Sequence, residues 1–116
     1  MEWLHLSSED QLEEINQQSF DPQLMGVLLF KHSTRCSISS AALNRLERNW
    51  KLSNETFPAF YLDLLNNRLL SMKIADYYSI EHQSPQVLVI KNGKCIYSTS
   101  HSDINADDIV SSTKNQ

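Results

Sequence analysis

Apolar residues in this chain fall into two kinds of block, short continuous runs and longer stretches where they recur every three or four positions. The first kind predicts buried strands and the second amphipathic helices. Glu2 to Leu6 (EWLHL) reads as a short strand with Trp3 and His5 on one face. Ser7 or Ser8 offers an N-cap with Asp10 or Gln11 as capping-box partner, and Leu12 and Ile15 then face inward while Glu9, Glu13 and Glu14 face water. That helix is expected to stop near Ser19 to Pro22. Val27 to Lys31 predicts a buried strand, His32 to Arg35 a polar turn, and Ile38, Ala42, Leu46 and Trp50 one apolar face of a helix ending near Leu52 to Asn54.

Phe57 to Leu65 is too continuously apolar for a one-faced strand and is read as buried on both faces, with Asn66-Asn67 as its break. A helix over about Arg68 to Tyr78 would turn Leu69, Met72 and Ala75 to the core, with Tyr78 or Ile80. Gln86 to Ile90 and Cys95 to Thr99 flank Asn92-Gly93, a pair suited to the positive φ angles of a type I′ hairpin turn. Asp103 to Val110 predicts a short helix, and Ser111 to Gln116 a polar tail expected to fray. The order βαβαβαββα implies an α/β fold, a central mixed sheet with helices on both faces. Its early crossovers should be parallel and right-handed, and its hairpin antiparallel.

The totals narrow the class. With 116 residues, 41% hydrophobic and 21% charged, the chain suits a single domain spanning 1–116 with one core. A net charge of −4 argues against a nucleic-acid partner, because phosphate binding needs a positive footprint. The apolar runs are far short of the ~18 residues of a membrane span. The acidic start MEWLHLSSEDQLEE lacks the basic and apolar regions of a secretory signal. Two cysteines, distant in sequence, make neither a disulfide framework nor a metal site, and a reducing cytoplasm is expected.

Candidate chemistry concentrates at Cys36. It stands where the polar turn becomes a helix, among N–H groups without intrahelical partners and at the positive end of the dipole. Arg35 beside it and Lys31 and His32 upstream would add to the pull toward thiolate. A free cysteine is commonly just a small buried hydrophobe, and from position alone the two readings weigh equally. The basic, polar flanks tip the balance toward reactivity. In Cys36-Ser37-Ile38-Ser39, serine occupies the place where a dithiol enzyme keeps its resolving cysteine, so the chemistry would be monothiol and need an external thiol for release. Cys95 is a poor substitute: if Asn92-Gly93 closes the hairpin, Cys95 pairs with Ile90, about 16–17 Å of strand from Pro85.

A cysteine where the central strand meets its helix, a proline before the penultimate strand and a closing hairpin together follow the thioredoxin-like order. FKHSTRCSIS (30–39), RLLSMKIA (68–75), HQSPQV (82–87) and SHSDI (100–104) closely resemble the YtxJ-type monothiol bacilliredoxins over nearly the whole chain. That resemblance implies a thioredoxin-like fold and removal of bacillithiol, the small thiol some bacteria use in place of glutathione, from protein mixed disulfides. Bacillithiol would be a co-substrate, with no bound cofactor. S-bacillithiolated client proteins and a low-molecular-weight thiol would be the partners, and the protein a monomer or weak dimer. The family often has proline after its cysteine. Here that residue is Ser37, which can still begin the helix and keeps an N–H that proline lacks.

The resemblance also makes the Ser84–Pro85 bond cis and adjacent to the nucleophile, against a base rate of ~5–6% for X–Pro bonds. Ser84 would then offer its backbone to an extended substrate. Thr34 is expected to cap the helix or hydrogen-bond the thiolate, with Ser39 close by. Arg35 either pairs with a carboxylate of the small thiol or is a solvated surface charge. His32 and His101 end strands near the site and would tune the thiolate, or are satisfied by backbone groups. No distinct role is legible for His82 or Gln86. Trp3, Trp50, Tyr61, Tyr77 and Tyr78 are read as core and rim. Two other classes compete: a non-catalytic adaptor or stress-response protein that binds extended peptides, and iron–sulfur cluster delivery, disfavoured by the single thiolate.

Overall fold

The computed structural model describes residues 1–114, and four helices enclose a five-stranded sheet. The strands are β1 (Leu4–His5), β2 (Val27–His32), β3 (Ala59–Asp63), β4 (Gln86–Lys91) and β5 (Lys94–Ser100), in the order β1-β3-β2-β4-β5. β1, β3 and β2 run parallel, β4 runs antiparallel to β2, and β5 antiparallel to β4. All six residues of β2 are buried, as befits a central strand covered on both faces.

The helices are α1 (Glu9–Gln18), α2 (Ser37–Asn49), α3 (Arg68–Tyr78) and α4 (Ala106–Ser112). Ser8 caps α1 in a capping box with Gln11. Leu12 and Ile15 of α1 and Leu70, Ile74 and Tyr78 of α3 pack on Val27, Leu29, Leu62 and Leu88. On the opposite face, Ala42 and Leu46 of α2 and Ala106 and Ile109 of α4 pack on Leu28, Phe30, Val87 and Val89. Residues i and i+1 of each strand thus serve opposite pairs of helices.

Asn92 (φ 53°) and Gly93 (φ 76°) close the hairpin, with Lys91 opposite Lys94 and Ile90 opposite Cys95 as the turn chemistry predicts. A bulge between Val89 and Ile90 then shifts the register, so that Val89 faces Tyr97. Trp3 and Trp50 pack into the core and Tyr77 stands at its rim.

Several expectations need correction. Leu69 is 82% exposed and Met72 half-exposed, because α3 turns its Leu70, Ser71, Ile74 and Tyr78 face inward. Ile38 is likewise 55% exposed, while Ser39 is fully buried. The apolar run predicted as one strand yields only β3, then a 3-10 turn at Leu64–Asn66. Asp63 stops the strand: its carboxylate accepts from the Leu65 N–H at 3.2 Å and the Asn66 amide at 2.7 Å. The segment after β5 begins with a 3-10 turn at His101–Asp103, so the last helix starts later than predicted, at Ala106 behind an Asn105 cap. It runs to Ser112, into the predicted tail, and residues 115–116 of that tail lie outside the described residues.

Candidate active site

β2 delivers the chain to a tight turn. The Cys36 N–H donates to Ser33 O at 3.1 Å, and Ser40 N–H returns to Cys36 O at 3.0 Å, which starts α2. Cys36 is the N-cap residue, extended at φ −106° and ψ 119°, and no side chain caps this terminus. The expected Thr34 cap is therefore absent, and Thr34 points outward with Arg35. Ser37 begins the helix and is exposed, and Cys36 is half-buried and free, as is Cys95.

Ser39 does different work from that expected of a substrate contact. Its buried hydroxyl accepts from the Ser33 N–H at 3.1 Å and shares a 2.6 Å hydrogen bond with His32 Nδ1. One polar atom thus ties the strand end, the turn and the first helical turn together. Burial holds the His32 imidazole below its ordinary pKa, against the opposing pull of Asp63 and Glu47. Its ring packs 5.5 Å from Tyr61 and 5.9 Å from Phe30. His32 is therefore satisfied within the core, by the Ser39 hydroxyl rather than by the backbone groups expected.

Lys31 also departs from expectation. Strand alternation sends it to the α3 face, where its Nζ donates to Ser71 O at 3.1 Å and lies 3.2 Å from His82 Nδ1. Desolvation lowers its pKa to about 8. His82 also meets Ser71 Oγ at 3.2 Å, and burial and the neighbouring lysine lower its pKa. Gln86 completes the loop: its amide donates to Glu81 O at 2.9 Å and its Oε1 accepts from the Gln83 N–H at 3.3 Å. His82 and Gln86, without a legible role in the sequence, thus fasten the segment leading to Pro85, together with the Ser100 hydroxyl that donates to Gln83 Oε1 at 3.2 Å. The readable signal was a lysine inside an otherwise apolar strand, which must find acceptors if both faces are covered.

The Ser84–Pro85 bond is cis, and Pro85 is buried. Pro85 O accepts from His101 N–H at 3.1 Å, which fixes His101 (φ 56°) just past β5 with its side chain exposed. Among the described residues the Ser84 Oγ is buried without a hydrogen-bond partner. Cys95 lies opposite Ile90 at the hairpin end of β4, its Sγ bonded to Tyr97 O at 3.3 Å and its pKa pushed up by burial. That is the core position the hairpin register predicts.

The model of the monothiol bacilliredoxin family, BrxC, matches residues 4–109. The chain belongs to this family. Its structure is similar to one described as an oxidoreductase with a thioredoxin fold, at 29% identity and TM-score 0.79, covering 96% of this chain and 93% of the other. Thioredoxins of Malassezia sympodialis and Trypanosoma brucei brucei share the fold at 13% identity. Their TM-scores are 0.71 and 0.72, with 98% of this chain covered in each and 90% and 89% of theirs. Fold and family together assign this bacilliredoxin-family chain to thiol redox chemistry. No described helix is long and apolar enough to cross a membrane.

Proposed function

We propose that this protein is a monothiol oxidoreductase that removes bacillithiol from protein mixed disulfides in a reducing cytoplasm. The observation that carries the reading is a single free thiol at the head of α2 whose i+3 neighbour, Ser39, is a buried hydroxyl committed to Ser33 and His32. The Cys36 thiolate attacks the bacillithiol sulfur of the mixed disulfide. A Cys36–bacillithiol disulfide forms, the client disulfide breaks, and the client leaves as thiolate with the displaced electron pair. A second small thiolate then attacks the bacillithiol sulfur, forming a small-thiol disulfide and returning Cys36 as thiolate. Electrons come from that second thiol, so no cofactor takes part. Ser84, preceding the cis bond, supplies backbone groups for an extended client segment.

Intact-protein mass spectrometry tests this. Reduced protein is mixed with a bacillithiol-capped client, beside a glutathione-capped one. Transfer of one bacillithiol mass to the protein with release of the client is expected, lost in Cys36→Ser and retained in Cys95→Ser. Loss in Cys95→Ser would refute the monothiol mechanism. No adduct from either client would sink the enzyme and leave a peptide-binding adaptor as the better reading.

A further inference from the structure

Parallel strands end in the same direction, so the loops that follow β2 and β3 lie side by side. His32 is paired with Asp63, and from those two positions the chain departs into the Ser33–Arg35 turn and the Leu64–Asn66 turn. Between them is an open depression of about 380 Å³ lined by Thr34, Arg35, Leu65, Asn66 and Arg68. This falls within the ~300–1,000 Å³ of small-molecule sites. Arg35 adjoins the nucleophile in sequence, and Arg68 is the first residue of α3.

Arg35, Arg48 and Arg68 all lack partners among the described residues, and Arg35 and Arg68 are the two that line this depression. The chain has four arginines and a net charge of −4. Arg45 donates to Ile104 O, yet among the described residues neither Arg35 nor Arg68 makes a hydrogen bond or an ion pair. The nearest carboxylate along the chain, Asp63, is already engaged by the Leu65 N–H and the Asn66 amide. Two like charges sharing one depression repel, and an anion seated between them relieves that repulsion while accepting paired N–H bonds.

We infer that Arg35 and Arg68 together form a carboxylate-binding subsite that selects small thiols bearing two or more carboxylates, with Arg68 as a specificity-determining residue. The inference rests on the proposed thiol transfer at Cys36, because the subsite holds the small-thiol half of the mixed disulfide while its sulfur meets the Cys36 thiolate. Asn66 and Thr34 line the same depression and add neutral donors beside the charges.

The test has two arms. In the first, transfer is timed from one client carrying either bacillithiol, with malate and cysteine carboxylates, or the neutral cap 2-mercaptoethanol. The wild-type preference for the bacillithiol cap should drop roughly tenfold in Arg68→Gln, the scale of one charge-assisted hydrogen bond. It should recover in part in Arg68→Lys and stay unchanged in Arg48→Gln, an exposed arginine elsewhere on α2. Equal slowing of both caps in Arg68→Gln, or no change in their ratio, overturns the subsite while leaving thiol transfer standing. In the second arm, unreactive S-methyl-bacillithiol is titrated and nitrogen-15 NMR read at residues 34–35 and 66–68. Shifts there, weakened in Arg68→Gln, support the subsite even if no transfer occurs. No shift there overturns it even if transfer is fast.

Discussion

Replacing Lys31 with methionine should stabilise the protein below pH 8 and abolish part of its pH dependence. The lysine side chain is about as buried as any apolar residue around it, at 1% exposure, and its partners are a carbonyl and an imidazole rather than a carboxylate. Desolvation therefore lowers its pKa from 10.5 to about 8. Between those values the unfolded chain holds a proton that the native protein has released, so stability rises with pH across that window. At pH 7 both states are protonated, and burying the cation costs about 3 kcal/mol at ~1.4 kcal/mol per pH unit of displacement. Above pH 10.5 that cost is gone.

Methionine keeps the length of the stem and removes the charge. It also leaves Ser71 O and His82 Nδ1 without their lysine donor, a loss of roughly 1–2 kcal/mol that does not vary with pH above 7. The measurable quantity is the difference in unfolding free energy, Lys31→Met minus wild type, from urea titrations followed by tryptophan fluorescence between pH 7 and 10.5. Tyr61, Tyr77, Tyr78, Tyr97 and Cys95 also have pKa values raised by burial, so each makes stability fall as pH rises past its ordinary value. They are present in both proteins and cancel in the difference. That difference should fall by about 3 kcal/mol from pH 7 to 10.5, changing from stabilising to destabilising. A difference constant to within ~0.5 kcal/mol would show that Lys31 keeps its proton in the folded state and refute the reasoning.

The face that α3 buries is open to a simple pair of substitutions. Leu70→Ala should cost ~2–4 kcal/mol because Leu70 is 7% exposed, whereas Leu69→Ala, at 82% exposure, should stay within ~0.5 kcal/mol by chemical denaturation. Ser39→Ala should cost ~2–4 kcal/mol, since it orphans the half-buried Ser33 N–H and the buried His32 Nδ1 together. The same variant should change the alkylation rate of Cys36, whose turn Ser39 holds. An unaltered denaturation midpoint would show that the hydroxyl is not what closes the turn.

How far the sequence could be read depended on the distance over which each feature is decided. The Ser8 and Gln11 capping box, the Asn92-Gly93 turn and the start of α2 at Ser37 are set by residues within one turn of one another. Those were legible. The segment Arg68 to Tyr78 carries apolar residues on two adjacent stripes, 69-72-75 and 70-74-78. Periodicity cannot choose between them, because the choice belongs to how the chain leaves Asn67 and meets Leu62 and Leu88 across the sheet. Ile38 and Ser39 exchange their expected places for a related reason: the first turn of α2 lies over a polar loop, where a hydroxyl that can serve Ser33 and His32 is the better buried group.

Lys31 and Arg68 show the same limit in charged residues. Read linearly, Lys31 flanks Cys36 and adds positive charge to it. Strand alternation sends it instead to the α3 side, where it secures His82 three residues before the cis proline. Arg68 reads linearly as part of a distant helix, yet the parallel pairing of β2 with β3 brings it to the depression that Thr34 and Arg35, the residues preceding Cys36, also line. One basic residue leaves the site and another enters it, and both exchanges follow from register alone. The electrostatics of a strand-to-helix cysteine must therefore be counted over the loops of its parallel neighbour as well as its own flanks. In this fold that count sets a second arginine beside the one that precedes the nucleophile, the pair on which the proposed carboxylate subsite rests.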